Sequence, residues 1–164
     1  MNTKQLALTI KRISILGVII MLFSLLAGCS EYDFSGITYF SYGYTPGYGP
    51  ANFDTCYKLE LNNGVYTATI KQSEIAPEDA DEFVVDEAFV EKLTKLLADN
   101  NVQKWNGFNK SDSRVCDGSS FTLKIKIQNE DAVEAHGYMK WPKNYHEVKK
   151  EIEAMFMELY TTTD

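Results

Sequence analysis

Basic charge is in short supply in this sequence of 164 residues: 16 lysines and arginines stand against 23 acids, a net charge of −7. Three of the sixteen, Lys4, Lys11 and Arg12, precede residue 28, a stretch without any acid. The remainder carries thirteen bases against twenty-three acids, a net of −10. So acidic a body repels phosphate backbones, and nucleic acid is not an expected partner. Histidine and cysteine are scarce too, with two and three copies. His136 and His146 have no ligand spacing with Cys56 or Cys116, so no metal is expected. Neither of these cysteines lies in a nucleophile motif, so no catalytic residue and no cofactor is assigned. The uncharged apolar run over residues 13–26 falls short of the roughly 20 residues of a membrane-spanning helix. Long Ser- or Pro-rich spacers, internal repeats and low-complexity tracts are lacking. With 18.6 kDa and 45% hydrophobic residues, the chain suits one globular domain and is too apolar for general disorder.

What is present begins with an address. After the positive start comes a 14-residue stretch without charge, residues 13–26, and then Leu26-Ala27-Gly28-Cys29. A positive start followed by a short apolar run is the layout of a secretory signal peptide. The closing tetrapeptide resembles the lipobox of bacterial lipoproteins. That resemblance implies cleavage before Cys29, a diacylglyceryl thioether on its sulfur, and a fatty acyl group such as palmitate on its new amine. Residues 1–28 are then a signal peptide, 29–35 a lipidated tether, and 36–164 a single domain. Two or more acyl chains suffice for stable anchoring. Ser30 stands where an aspartate would favour inner-membrane retention, which points to the outer membrane or cell surface. The expected location is the extracytoplasmic side of the cell envelope, with the membrane itself as a partner through Cys29.

In an oxidising compartment the even pair Cys56 and Cys116 is expected to form a disulfide, worth roughly 4 kcal/mol for a loop of about 60 residues. Two free thiols are the alternative.

The rest of the chain spells alternating strands and two one-faced helices. Residues 36–44 (GITYFSYGY) form a β-rich run of aromatics, broken by Thr45-Pro46-Gly47-Tyr48-Gly49-Pro50. Residues 55–61 alternate, Asn62-Asn63-Gly64 turns, and residues 65–71 return, a hairpin. An acidic loop over residues 74–82 leads to a helix capped by Asp86, with Phe89, Val90, Leu93, Leu96 and Leu97 at helical spacing. Residues 102–114 show no regular pattern. Asp117-Gly118 makes a turn, Phe121, Leu123, Ile125 and Ile127 alternate, and residues 132–139 form the partner strand. Asn144 with Glu147 matches a capping box for a last helix, whose apolar face is Tyr145, Val148, Ile152, Met155, Phe156 and Leu159. The order βββ-α-ββ-α suggests an α+β fold, an antiparallel sheet covered on one face by two helices.

Trp105-Asn106-Gly107-Phe108, the Asp117-Gly118 turn and Pro142-Lys143-Asn144-Tyr145 also make residues 102–160 similar to uncharacterised bacterial lipoprotein domains of unknown function. That resemblance implies no functional residue. Structurally, Trp105 and Phe108 are expected to plug the sheet edge. The acids Glu78, Asp79, Asp81, Glu82, Asp86 and Glu87 lack the Asp-x-Asp-x-Asp-Gly spacing of a calcium cage and suit a solvated loop.

Aromatics interleaved with glycine give the ligand-site candidate: Tyr42, Tyr44 and Tyr48, whose rings could stack on a sugar or grip a partner. The competing expectation is that alternate aromatics of this run pack in the core. The chain is therefore expected to be a non-enzymatic, lipid-anchored binding or accessory module for an envelope protein or glycan. An enzyme assembled from scattered residues such as Asp117, His136 and Tyr138, or a purely structural lipoprotein, are the alternatives.

Overall fold

The computed structural model describes residues 32–47, 54–72 and 80–162. Among these, a mixed α+β fold combines a seven-stranded, mostly antiparallel sheet with two longer helices. In chain order, β1 (Ile37–Thr45), β2 (Thr55–Asn62), β3 (Val65–Gln72) and β4 (Asp81–Val85) lead to α1 (Glu87–Asp99). A 3-10 turn (Val102–Trp105) and β5 (Asn109–Ser111) follow, then β6 (Ser120–Ile127), β7 (Glu130–Tyr138), α2 (Tyr145–Met157) and the short α3 (Leu159–Thr162). The sheet order is β4-β3-β2-β1-β6-β7-β5, so β4 and β5 are its edges. No helix among the described residues is long and apolar enough to cross a membrane.

Both expected hairpins form, and their turns explain their sequences. Asn63 and Gly64 both take positive φ, as a two-residue turn matched to strand twist requires. Gln128 and Asn129 do the same between β6 and β7. Register then puts one set of side chains on a common face: Phe40 opposite Leu59 and Ile125, Tyr42 opposite Tyr57 and Leu123. Leu59 in turn faces Ala68, and Ile125 faces Val133. All are buried and join Leu93 and Leu97 of α1 and Val148, Ile152 and Phe156 of α2 in one core cluster. The Phe156 ring lies 6.1 Å from Phe40, 5.1 Å from Tyr57 and 5.3 Å from Phe89.

Several expectations need correction. Asp81 and Glu82 are not loop but the start of β4, whose Ala68–Phe83 pairing with β3 supplies the ladder that the acidic sequence does not advertise; residues 74–79 lie outside the described residues. Inside the irregular stretch, β5 exists through parallel pairing of Asn109 with His136 and Ser111 with Tyr138. Asn144 is not a side-chain cap: it sits in the left-handed region at φ 62 with no capping hydrogen bond. Asp86 does cap α1, its Oδ1 accepting from the Phe89 amide at 3.0 Å. Phe34, placed in the tether by sequence, is 1% exposed, so the folded body begins before residue 36. Trp105 is buried, its indole N–H donating to the Lys143 carbonyl at 3.1 Å and its ring 6.2 Å from Phe121.

The expected disulfide is absent, and both Cys56 and Cys116 are free thiols. Cys56 lies on β2, Cys116 in the loop before β6, and β1 stands between those strands. Two strand spacings of about 4.8 Å exceed the Cα separation that a disulfide bridges.

Candidate functional site

Of the three tyrosines of the candidate ligand site, the structure describes two, Tyr42 and Tyr44. Tyr42 is fully buried, and its hydroxyl meets that of Tyr145 at 2.7 Å. Burial pushes both phenols well above the usual tyrosine range, each reinforced by the charge of nearby Glu153, so the pair stays neutral inside the core. Core packing, the competing expectation, therefore holds for Tyr42. Tyr44 is half-buried: its hydroxyl donates to Ser119 Oγ at 3.3 Å, and the Lys149 ammonium stands 4.4 Å from its ring centre. Both the ring and the hydroxyl are thus engaged within the fold. Tyr48 lies outside the described residues, as does the lipidation candidate Cys29.

The scattered polar residues do not assemble into a reactive set. The Tyr138 hydroxyl accepts from the Gly118 amide at 2.7 Å and donates to the Val115 carbonyl at 3.1 Å, which ties down the loop holding Asp117. His136 faces solvent opposite Thr122 and Asn109. It lines a shallow cleft of about 470 Å³ with Phe108, Lys124 and Glu134. There the Lys124 ammonium is matched by Glu134 at 2.5 Å and Asp131 at 3.2 Å, leaving little net charge to attract a ligand. His146 packs its ring against Trp141 and Tyr145 at the start of α2.

A more pronounced hollow lies where sequence reasoning saw only an acidic loop. A cleft of about 590 Å³ runs beside β4, within the size range of ligand sites. Its walls combine Phe83 and Val85 of β4, Phe89 of α1, and Met155 and Leu159 from the C-terminal helices. Its rim is acidic: Glu82, Asp86 and Glu158 against Lys92. Lys92 pairs with Glu158, and the Tyr160 hydroxyl donates to Asp81 Oδ2 at 2.6 Å. Partial burial, then the neighbouring Asp81 carboxylate, push the Tyr160 phenol up to about 12. On the outer side of β4 no described strand pairs, and Val84 is 79% exposed. The sequence signal that could have found this strand is Phe83-Val84-Val85, β-branched and aromatic, directly after the acids.

An unpaired antiparallel edge presents a row of main-chain donors and acceptors at which another strand can add. Here the edge is short and flanked by charge, as protected edges are, yet it borders an apolar hollow instead of solvent alone. Main-chain pairing with alternate side chains dropping into pockets is the chemistry this arrangement can perform. Comparison with protein-family models and with curated proteins finds no match for this chain.

Proposed function

We propose that this chain is a lipid-anchored bacterial envelope domain, without enzymatic activity, that holds an extended segment of another envelope protein along the free edge of β4. Cys29 carries the lipid, on the extracytoplasmic side and, given Ser30, at the outer membrane or cell surface. The observation that carries the binding role is the cleft beside β4, with its apolar floor and a strand edge that no described strand pairs. A protein segment suits it better than a glycan. Sugars stack on exposed aromatic faces, and the aromatic run offered for that purpose has Tyr42 in the core. In this arrangement α1 and α2 cover one face of the sheet, as the contacts of Phe156 with Phe40 and Tyr57 support. The opposite face, with Lys58, Lys124 and Glu134, is left to solvent.

The partner strand would alternate apolar and basic residues. Apolar side chains fill the hollow against Phe83, Phe89 and Leu159, while basic ones meet Glu82 and the acidic rim. The test is titration of the full chain, purified in detergent, with fluorescent hexapeptides of alternating Lys-Val and Glu-Val. The Lys-Val peptide is expected to bind and the Glu-Val peptide not. Glu82→Lys is expected to weaken binding by about tenfold, roughly 1.4 kcal/mol, and Glu147→Lys on exposed α2 to leave it within about twofold. Both positions are exposed, so folding stability is expected to stay within about 0.5 kcal/mol. Equal binding of both peptides, or equal sensitivity to the two substitutions, would overturn the site.

A further inference from the structure

We infer that one end of the sheet faces the lipid headgroups: the end formed by the start of β1, the β2–β3 turn and the β6–β7 turn. The inference rests on the anchor at Cys29 and goes on to fix which way the domain stands. Phe34 is locked in the core, so only the five residue steps from Cys29 to Phe34 can act as tether. Fully extended they span at most about 17 Å. The nine residues of β1 then run away from that point for about 30 Å. A tether shorter than the strand cannot bring the far end of the sheet, with Cys116, Ser119 and Trp141, down onto the bilayer.

Register places the partners of that near end. Val65 and Asn62 are directly paired beside the Asn63-Gly64 turn, and the Tyr66 hydroxyl donates to the Ile37 carbonyl at 2.9 Å. The Gln128 amide donates to the Gly36 carbonyl, and the Asn129 amide to Thr38 Oγ1, both at 3.0 Å. These bonds draw both turns around the point where the chain enters the fold.

The chemistry of this end suits a headgroup surface. Tyr32, 37% exposed, and Val65, 47% exposed, are among the few large apolar side chains that the described surface presents. Tyrosine at this depth sits well between headgroups and water. Around them Asn62, Asn63, Gln128 and Asn129 offer neutral amides that can bond headgroup oxygens. Asp33 and Glu130 repel anionic lipid, so attachment depends on the acyl chains and the end supplies orientation, not affinity. Side-on packing would instead put the acidic rim of the β4 cleft, or one sheet face, against the bilayer. End-on packing leaves the β4 edge clear, running away from the membrane and open to a partner strand from the side.

The test uses the full-length lipidated protein in vesicles of phosphatidylethanolamine and phosphatidylglycerol doped with headgroup-nitroxide lipid. In a Cys56→Ser background one sample carries a fluorophore on native Cys116. A second, with Cys116→Ser added, carries it at Val65→Cys. The expected result is quenching at least threefold stronger at position 65 than at Cys116, with both samples floating with the vesicles. Equal or reversed quenching in floating protein would overturn the orientation while leaving the anchor intact. Protein that does not float, and whose Cys29 peptide has the mass of a free thiol, would overturn the anchor and the orientation with it. Circular dichroism of both samples checks that they are folded; should Val65→Cys fail to fold, the same label at Asn129→Cys reads the same end.

Discussion

Phe156→Ala is expected to lower the unfolding free energy by about 3–5 kcal/mol, the usual range for removing a buried phenylalanine ring. The side chain is fully buried and touches three elements at once: Phe40 on β1, Tyr57 on β2 and Phe89 on α1. Those neighbours sit on a sheet held by its own ladder and on a helix fixed by its Asp86 cap, so little of the cavity can collapse. Thermal melting followed by circular dichroism is expected to shift down by roughly 10–20 °C for a domain of this size. Phe156→Leu keeps most of the volume and is expected to cost about 1 kcal/mol. A loss below 1 kcal/mol for the alanine variant would mean that α2 is not seated on the sheet as described.

Gly137→Ala is the second large effect, arising from crowding. A Cβ at this position would press into the Lys140 carbonyl oxygen and lie 2.5 Å from Cε1 of the Phe121 ring. Phe121 is itself held by Trp105, Trp141 and Tyr145, and the Lys140 carbonyl is backbone, so neither neighbour yields cheaply. The expected cost is about 3 kcal/mol, at the upper end of overpacking effects. Gly118→Ala makes the control. Its closest obstacles are Cγ and Sδ of Met139, a flexible and 37% exposed side chain that can swing away. That substitution is expected to cost less than half as much in the same denaturation series. A reversed order would show that the β7 end, not the loop before β6, has room to give. Gly118 does not take a positive φ, so the turn expected at Asp117-Gly118 does not rest on the left-handed freedom of glycine.

Much of the fold was legible because its signals were periodic. Phe121, Leu123, Ile125 and Ile127 alternate without interruption, and β6 follows; the Asn63-Gly64 turn needs its two positive φ values and carries residues that tolerate them. The two edge strands were not legible, for opposite reasons. In β4, burial is one-sided and slight, so only Phe83 and Val85 alternate, and the preceding acids hide them. In β5 every residue is exposed, so no apolar pattern exists and only pairing with β7 defines the strand. The aromatic run of β1 left two readings open because Tyr39 and Tyr44 flank Tyr42 on a strand rich in rings. Alternation cannot say which face meets the helices until the partners Tyr57 and Tyr145 are placed. The β4 cleft escaped for a related reason: it is made by what does not pair with an edge, and its walls come from residues as distant as Phe83 and Leu159.

The proposed lipid on Cys29 would decide where this domain works, which end meets the membrane and which class of partner can reach β4. Intact mass of the full-length product extracted from bacterial membranes tests it most directly. A mature chain beginning at Cys29, with the added mass of a diacylglyceryl thioether and an amide-linked acyl chain and two further thiols open to alkylation, is the expected result. A species that retains Leu26-Ala27-Gly28 ahead of an unmodified Cys29 would contradict it.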